Sequence, residues 1–494
     1  MAEVNGESVD LKVHIMQERS AFVQKLLDDL DLVELIGKDC SLSETLRGHW
    51  VGWHSIHESQ SKQSLHVYAD QSPQNWYCYH CHEGGTAIDY IMSARGLSTG
   101  EAIDCLGEEC AFECPEWTPE QRAKWERRRK ERQIIETILM EVVEYCHNQL
   151  TAARREYLHR RGLTDETINK FKLGHADGTL YHAFTDNTRS HSDEELLLSG
   201  LFVQFKNSAP KDLFEHRYVF PYLHRDRPCY IIGRIDPEAG KVPKWNEAKY
   251  KKLATYDEEK RSYISREVQN DTFYGEDSVY EHKEGIITEG IVDCLMALQA
   301  GFGCISPATV GFRKADFPRL ARLTKRWDTV YIINDNEEGN AGEQGALSTA
   351  QYLFEQKIEA HLVQLPRPDG VHKIDLADFL NVPEGQQDAR IAELRELMAN
   401  APDFIEWEVC EADCLPNRRR PKAVSEIATL IAHLDEGQRE PYKELVVDEK
   451  KLTTRRALNA TVEQARIEKV KPAKAKHMKE AEEKLPPGAF LRLQ

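Results

Sequence analysis

The sequence predicts a multidomain protein of mixed α+β and α/β class, with a Cys/His-rich ribbon, a mixed α/β core that ends in a parallel sheet, and a helical C-terminal region. Three observations favour this architecture. The chain has 494 residues, too many for one ordinary hydrophobic core. Cysteine and histidine are clustered between 41 and 115. Short, wholly apolar segments alternate with helical segments between 285 and 380, as in a parallel sheet covered on both faces.

The composition indicates which kinds of ligand, location and cysteine chemistry to expect. The formal net charge of −18 argues against a general nucleic-acid coat but allows a local basic groove, because binding depends on where the charges lie. The basic clusters at 122–132, 244–252 and 418–422 fit solvated faces or linkers equally well. The chain has no run of eighteen apolar residues and begins with a polar segment, so we expect a cytoplasmic protein without a membrane span. The twelve cysteines therefore indicate thiols or metal ligands rather than disulfides.

Changes in composition divide the chain into five predicted segments. They are an N-terminal helix with the Cys/His ribbon (1–115), a charged helical linker (116–150), the N-terminal part of the core (151–280), the parallel-sheet domain (281–400), and a helical C-terminal region with a partly disordered tail (420–494).

The ribbon has the spacing of a zinc site. His54 and His57 form one pair and Cys78 and Cys81 a second, and the alternating segment between them predicts two strands around a Ser-Pro-Gln-Asn turn. Zn²⁺ prefers four nitrogen or sulfur ligands in a tetrahedron, which two such pairs supply. The alternative is four unrelated residues in a Cys/His-rich region. The nearby His49, His66, His80 and His82 leave the choice of histidine ligands open. His80 ranks below His54 and His57, because a residue between the two cysteines usually points away from the metal.

The run "GHWVGWHSIHESQSKQSLHVY…WYCYHCHEGGTAIDYIM" resembles the zinc-binding CHC2 domain of bacterial DnaG-type primases. It departs from the family at His54, where the family has a cysteine, but imidazole is a competent zinc ligand. The resemblance implies that the ribbon contacts single-stranded template. Trp76, Tyr77 and Tyr79 are then candidate stacking surfaces, and at least one of these rings is expected to pack in the hairpin core instead.

Carboxylates follow the predicted strands of the parallel sheet. The segment "EGIITEG" ends at Glu289, "TVYIIND" ends at Asp335 with Glu337 two residues on, and "KIDLADFL" contains Asp375 and Asp378. Because the carboxyl ends of parallel strands meet at one edge, we expect these side chains to lie together. Such oxygen ligands suit Mg²⁺ or Mn²⁺. A single acid of this kind is better explained as a helix cap or a solvated turn residue, and it is the series of three acidic segments that favours a metal site.

The same region resembles the TOPRIM domain of primases, topoisomerases and some nucleases. "TEGIVDCLMALQAG" matches the family's Glu-Gly-x-x-Asp segment, and "INDNEEGNAGEQGA" resembles its Asp-x-Asp-x-x-Gly motif with a glutamate as the second acid. The resemblance implies a catalytic role for Glu289, Asp335 and Glu337. It implies magnesium binding by those three residues together with Asp375 and Asp378.

The middle of the chain resembles the N-terminal part of the primase core. "YLHRRGLTDETINKFKLG" predicts a helix that begins at the cap Thr164 and ends at Gly174. "FEHRYVFPYLHRDRPCYIIGRI" and "PKWNEAKYKK" resemble the family's Phe-x-x-Arg-x-x-Phe-Pro, Gly-Arg and Pro-Lys-Tyr-x-Asn motifs. The residues implied to contact template or nucleotide are Arg217, Arg234, Lys244, Asn246 and Asp293. Without the resemblance, the basic ones are equally explained as surface ion pairs.

The order of these modules resembles a DnaG-type primase of a phage or mobile element. The resemblance implies synthesis of short RNA primers on single-stranded DNA from nucleoside triphosphates, with Zn²⁺ and Mg²⁺ or Mn²⁺ as cofactors. It also implies that the C-terminal region docks on a replicative helicase, although that region has no diagnostic motif. The alternatives are a TOPRIM nuclease or topoisomerase-like enzyme, and a non-catalytic DNA-binding scaffold.

Overall fold

The computed structural model divides into two compact units, with the boundary between Lys283 and Glu284. The described residues are 22–45, 48–53, 63–80, 83–95, 97, 99–109, 119–185, 191–205, 208–224, 226–240, 243–257, 262–264, 268, 272–308, 311–338 and 341–467.

The first unit begins with a small module built on an antiparallel sheet. Its helices are α1 (22–29), α2 (Leu32–Gly37), α3 (Ala87–Arg95) and α4 (Thr99–Glu109). Its strands are β1 (Ser43–Glu44), β2 (Trp50–Gly52), β3 (Leu65–Tyr68), β4 (Asn75–Cys78) and β5 (Gly84–Gly85), paired in that order. The two strands predicted around the Ser-Pro-Gln-Asn turn are confirmed as the hairpin of β3 and β4.

Trp76 lies inside this module, so it is the one of the three rings that packs in the hairpin core and is not a stacking surface. The alternation along β4 turns Trp76 and Cys78 inward, where both are almost completely buried. The Trp76 ring packs edge-on against Tyr90 of α3 with 5.5 Å between centroids, and its Nε1 donates a hydrogen bond to Thr86 O. Tyr79 is exposed and Tyr77 half-buried, so these two rings of the three reach solvent.

The predicted linker is only partly a linker. Residues Pro119–Asn148 form one long helix, α5, as the pattern predicts. Its second half carries buried apolar side chains, which are Ile135, Ile138, Leu139, Val142, Val143 and Cys146. Gly174, the first residue of strand β6 (Gly174–Ala176), packs against α5 so closely that a Cβ would lie 2.6 Å from the Cys146 carbonyl carbon. The helix therefore belongs to the packed core from about Ile135 onward.

The rest of the first unit surrounds a four-stranded antiparallel sheet. Its helices are α6 (Ala152–Arg160), α7 (Asp165–Lys170), α8 (Leu180–Thr185) and α9 (Asp193–Leu198). The sheet has the order β11 (Tyr250–Lys252), β10 (Arg227–Ile235), β9 (Arg217–His224) and β6. The unit also contains two short strand pairs, β7 (Phe202–Val203) with β8 (Lys211–Asp212) and β12 (Tyr256–Asp257) with β13 (Ser262–Tyr263), and two 3₁₀ turns, Lys244–Asn246 and Glu276–Tyr280.

Helix α7 begins as predicted but ends differently. Thr164 caps it, and the Thr164 side chain accepts a hydrogen bond from Thr167 N. The helix ends at Lys170, and the residue with positive φ is Lys172 rather than Gly174. Gly174 is needed for close packing against α5, so its prediction as the helix C-cap is wrong.

The second unit contains the predicted parallel sheet. Its strands are β14 (Glu284–Thr288), β15 (Gly303–Ile305), β16 (Thr329–Ile333) and β18 (Ala360–Leu362), all parallel and in the order β15-β14-β16-β18. A separate antiparallel pair joins β17 (Asn336–Glu337) to β19 (Lys373–Ile374). The helices are α10 (Ile291–Gln299), α11 (Phe317–Thr324), α12 (Ala341–Glu355), α13 (Leu376–Leu380) and α14 (Gln387–Ala399).

The C-terminal region is helical as predicted. It comprises α15 (Phe404–Cys414), α16 (Arg420–His433), a 3₁₀ turn (Glu436–Gln438), α17 (Arg439–Glu444) with a π-helical continuation (Leu445–Glu449), and α18 (455–467). These helices share a hydrophobic core, against which Phe354 of α12 packs. The predicted disordered tail lies beyond residue 467, outside the described residues. Among the described residues no helix is long and apolar enough to cross a membrane, and the cytoplasmic location stays a prediction.

Candidate active site and nucleic-acid surface

The carboxylates predicted at the sheet edge follow two neighbouring strands. Glu289 comes directly after β14 and Asp335 two residues after the end of β16, and these two strands pair in parallel register. Asp293 lies in the first turn of α10, which begins immediately after Glu289-Gly290. A Cβ at residue 290 would overlap Asp293 Oδ2, so glycine is required there for the carboxylate to approach the strand end.

Three carboxylates meet closely enough to share one cation. One oxygen from each of Asp293, Asp335 and Asp375 lies within 4.8 Å of the others. Asp293 is buried and its Oδ1 accepts a hydrogen bond from Ala377 N at 2.8 Å. Asp375 is the N-cap of α13 and accepts a hydrogen bond from Asp378 N at 2.7 Å. Capping and metal binding are therefore compatible roles here, because the caps fix the position of the carboxylates.

Lys373 is part of this cluster, although it is not among the site residues predicted from the sequence. It lies in β19 opposite Glu337 of β17. Its Nζ contacts Asp335 Oδ2 and lies 3.6 Å from Glu337 Oε2. Its position two residues before Asp375, within the same "KID" segment, is the only sequence signal that could have placed it near the acids.

Burial and mutual repulsion perturb the acids of this cluster. Burial and the charge of Asp335 raise the pKa of Glu289 from its ordinary 4.5 to about 7, and the Lys373 ammonium only partly offsets this. Burial also raises the pKa of Asp335, against the hydrogen bond and charge of Lys373. Burial disfavours the charged form of Lys373, but Asp335, Glu337 and Glu289 outweigh it and raise the pKa of the lysine. Crowded acids with raised pKa values are typical of metal and catalytic sites.

The donor set fits a hard divalent cation. Carboxylate oxygens are the ligands that Mg²⁺ and Mn²⁺ prefer, and one oxygen from each of three carboxylates converges here. The trio differs from the predicted magnesium ligands, because Asp293 belongs to it. Glu289 and Glu337 lie beside it, as their interactions with Asp335 and Lys373 indicate, and the exposed Asp378 contributes its backbone N–H to Asp375.

The raised pKa of Glu289 predicts a pH-dependent stability. An acid with a higher pKa in the folded state keeps its proton longer when folded, so the folded state loses stability as the pH rises from about 4.5 to about 7. Without divalent cations, we expect the melting temperature of the native chain to fall more steeply over this interval than that of Glu289→Gln, whose amide does not titrate. Calorimetry between pH 4.5 and 8 measures how steeply the melting temperature falls with pH in both proteins. Equal slopes would contradict the raised pKa of Glu289.

A basic and aromatic surface lies at the edge of the sheet in the first unit. Lys251 Nζ lies 4.1 Å from the centroid of the Trp245 ring, and Arg234 and Lys249 lie over the Tyr250 ring at 5.8 Å each. Phe205 packs edge-on against Trp245 with centroids 5.3 Å apart. Phe205 and Tyr250 are 44% and 40% exposed, and Lys244 is exposed as well. We call this set (Phe205, Arg234, Lys244, Trp245, Lys249, Tyr250 and Lys251) the basic-aromatic surface.

Arg217 and Asn246 do not reach that surface. Both are fully buried, and Arg217 Nε donates to Asn246 Oδ1 at 3.1 Å while Nη2 donates to Asn246 O. Asn246 Nδ2 in turn donates to Glu215 O at 3.0 Å. Burial lowers the pKa of Arg217 to about 10. The prediction that these two side chains grip phosphate or nucleotide is therefore wrong: the guanidinium is used to fix the loop that carries Lys244 and Trp245.

The predicted zinc site is described at one ligand only. Cys78 is buried at the end of β4, and its N donates to Glu83 O at 2.7 Å. His54, His57 and Cys81 lie outside the described residues, so their geometry as zinc ligands stays a prediction. On the described part of the hairpin, the rings of His49 and His66 stack at 5.1 Å, and Tyr79 packs edge-on against His66 at 4.7 Å.

Two family models match this chain. The CHC2 zinc finger matches residues 18–122, and the N-terminal domain of the DNA primase catalytic core matches residues 143–251. The zinc-finger match supports zinc as a cofactor of the N-terminal module. The match to the catalytic-core domain covers α6 to β11, the part that carries the basic-aromatic surface.

Curated relatives extend over more of the chain. The DNA primase of Clostridium acetobutylicum is 24% identical over 440 residues, which is 86% of this chain and 67% of that protein. The DNA primase of Rickettsia felis is 25% identical over 374 residues, 74% of this chain and 58% of that protein. The chain thus spans about three fifths to two thirds of the length of these relatives.

Solved structures share the fold. The zinc-binding and RNA polymerase domains of the Aquifex aeolicus primase align with 88% of this chain and 98% of that one, at 20% identity and a TM-score of 0.50. The RNA polymerase domain of Mycobacterium tuberculosis DnaG, in complex with a double-stranded DNA oligomer with a 6-nucleotide overhang, aligns with 65% of this chain and 98% of that one, at 18% identity and a TM-score of 0.50.

Proposed function

This chain is a relative of the DnaG-type DNA primases, and from that relationship we propose that it synthesises short RNA primers on single-stranded DNA. The observation that carries the proposal is the convergence of Asp293, Asp335 and Asp375, with Glu289 and Glu337 beside them, in a chain whose first unit matches the primase catalytic core. The two features together favour nucleotidyl transfer over a purely structural acid cluster.

The acid cluster is proposed to hold Mg²⁺ or Mn²⁺ through Asp293, Asp335 and Asp375. Such a cation, when bound, neutralises phosphate charge and lowers the pKa of a coordinated hydroxyl. Hydrogen bonds from Ala377 N and Asp378 N hold Asp293 and Asp375 in place, so these two ligands are positioned before a cation binds. Glu289 lies beside the trio, where a bound cation would offset the repulsion from Asp335 and favour the ionised form of the acid, and its removal is expected to weaken metal and substrate positioning.

The basic-aromatic surface is proposed to carry the single-stranded template. Single strands bind where cationic side chains follow the phosphates and aromatic rings stack on the bases. The chain as a whole has a net charge of −18, but this surface is locally positive, with four basic side chains interleaved with three rings. Such a positive surface favours binding of a negatively charged nucleic acid. Tyr77 and Tyr79 of the zinc-ribbon module are candidates for additional base contacts.

Replacement of a stacking ring tests the template surface. Trp245→Ala is expected to weaken the binding of a single-stranded oligonucleotide about tenfold, because stacking contributes about 1–3 kcal/mol per base. The matched control is Tyr280→Ala, which removes an exposed ring of the same unit that is not part of this surface. Fluorescence anisotropy at constant salt measures both. Equal affinity for the native chain and Trp245→Ala would remove this surface from the template path.

The proposed activity is tested with a single-stranded DNA template, labelled ribonucleoside triphosphates and Mg²⁺ or Mn²⁺. Short labelled products that require the template support a primase. Shortened template without labelled products favours the TOPRIM nuclease or topoisomerase-like alternative. Bound but unaltered DNA, without product, favours the non-catalytic scaffold. Docking of the C-terminal helices on a replicative helicase stays a prediction, as does origin from a phage or mobile element.

A further inference from the structure

Lys373 is the cation that the structure itself places in the acid cluster. Strand β19 sets it directly opposite Glu337, and its Nζ bridges Asp335 and Glu337. An exposed lysine that pairs with one carboxylate is ordinary and contributes little. Lys373 differs because the Asp335 that it contacts is mostly buried and also belongs to the carboxylate trio, so the ammonium lies at the border of the candidate metal site.

The cluster has more carboxylates than one divalent cation needs. Asp293, Asp335 and Asp375 form a single convergent set, whereas Glu337 is outside it. A centre with two cations about 3.5–4 Å apart needs further oxygen ligands on the far side of a shared carboxylate. Glu337 is the carboxylate next to Asp335 that could supply one, but the Lys373 ammonium contacts Asp335 Oδ2 and lies 3.6 Å from Glu337 Oε2. A second divalent cation would have to displace that ammonium or accept its repulsion at short range.

We propose that Lys373 is a positioning residue that takes the place of a second metal ion, holding Asp335 and Glu337 so that the centre binds one divalent cation through Asp293, Asp335 and Asp375. The inference rests on the proposed function for the identity of the centre, but the metal count is independent of any reaction. The site is then a one-metal centre in which the Lys373 ammonium supplies the second positive charge.

The geometry gives Lys373 a fixed place. The pairing of Asn336 with Ile374 and of Glu337 with Lys373 aligns the two short strands, and Asn336 Nδ2 donates to Leu365 O at 2.8 Å, which ties β17 to the segment after β18. The lysine therefore reaches Asp335 from a fixed backbone position. Its side chain is 47% exposed, so replacing it removes a charge without opening the core.

The test is the number of Mn²⁺ ions bound by the zinc-loaded full chain, without nucleotide or DNA. Equilibrium dialysis gives the count, and electron paramagnetic resonance distinguishes an isolated Mn²⁺ from a spin-coupled pair. The chain with Asp293→Asn and Asp335→Asn gives the baseline for Mn²⁺ bound elsewhere. Above this baseline we expect one uncoupled Mn²⁺ in the native chain and in Lys373→Arg, and a coupled pair in Lys373→Gln.

Two results would overturn the inference: a coupled pair in the native chain, or a single ion in Lys373→Gln. Lys373→Met, a second neutral variant, replaces Lys373→Gln if the latter does not fold. Because the count needs no substrate, it separates this inference from the proposed function. Absent primer synthesis together with the expected change in count would reject the function alone, and primer synthesis with an unchanged count would reject the role of Lys373 alone.

Discussion

Glu289→Gln is expected to reduce primer synthesis by about three orders of magnitude and to leave the melting temperature unchanged or slightly higher. The amide keeps the shape of the side chain but removes its charge from beside Asp335, where the acid is half-buried and repelled by its neighbours. Loss of a preorganised charge at a reacting centre has effects of about 10²–10³ or more in rate. Relief of repulsion within the cluster favours the folded state.

The matched control is Asp378→Asn. Asp378 was predicted as a magnesium ligand, but its side chain is exposed and its backbone N–H, which the substitution keeps, supports Asp375. We expect Asp378→Asn to retain primer synthesis within about threefold of the native chain, as is usual for surface substitutions. Steady-state incorporation of labelled nucleotide measures both variants. Equal loss of activity and melting temperature in Glu289→Gln would indicate a structural role for Glu289.

Arg217→Ala is expected to lower the free energy of unfolding of the first unit by about 3 kcal/mol, because it leaves buried acceptors without donors. The unpaired groups would be Asn246 Oδ1 and the backbone carbonyl of Asn246, both now bonded to the guanidinium. Asn246 positions the turn that carries Lys244 and Trp245, so template binding is expected to weaken as well. Urea unfolding followed by circular dichroism measures the change in stability.

Lys244→Ala is the comparison for Arg217→Ala. Lys244 belongs to the same motif but is exposed, and removing it should change the free energy of unfolding by less than about 0.5 kcal/mol. It should weaken oligonucleotide binding and reduce its salt dependence by about one ionic contact. If Arg217→Ala kept full stability and lost only oligonucleotide affinity, that result would instead support direct phosphate binding by Arg217.

The sequence predicted the carboxylate edge because its signal is local. Apolar strands that end in Glu289 and Asp335 fix which side chains leave the sheet at the same edge, and parallel pairing then brings them together. Asp375 followed from the same pattern, although it acts from a helix cap rather than from the sheet. Asp293 was assigned to nucleotide rather than metal, since its distance to Asp335 and Asp375 depends on how α10 packs against α13.

Other features depend on tertiary contacts that no local pattern encodes. Lys373 joins the acids because two short strands far apart in sequence pair with each other, with Glu337 opposite Lys373. The burial of Arg217 depends on Asn246, which comes from a turn in another part of the chain. The alternation along β4 is the same whether the face that carries Trp76 meets solvent or a helix. The burial of Trp76 depends on Tyr90 of α3, which packs against its ring. Charge and periodicity identify such residues but not their partners.

The central claim is that this acid cluster joins nucleotides on a single-stranded template, and the most direct measurement of it is pyrophosphate release. The native chain is mixed with single-stranded DNA, ribonucleoside triphosphates and Mg²⁺, and pyrophosphate is counted together with labelled RNA. The account predicts one pyrophosphate for each phosphodiester bond formed, dependent on template and on Glu289. Template cleavage without pyrophosphate, or neither product from a chain that binds both zinc and DNA, would contradict it.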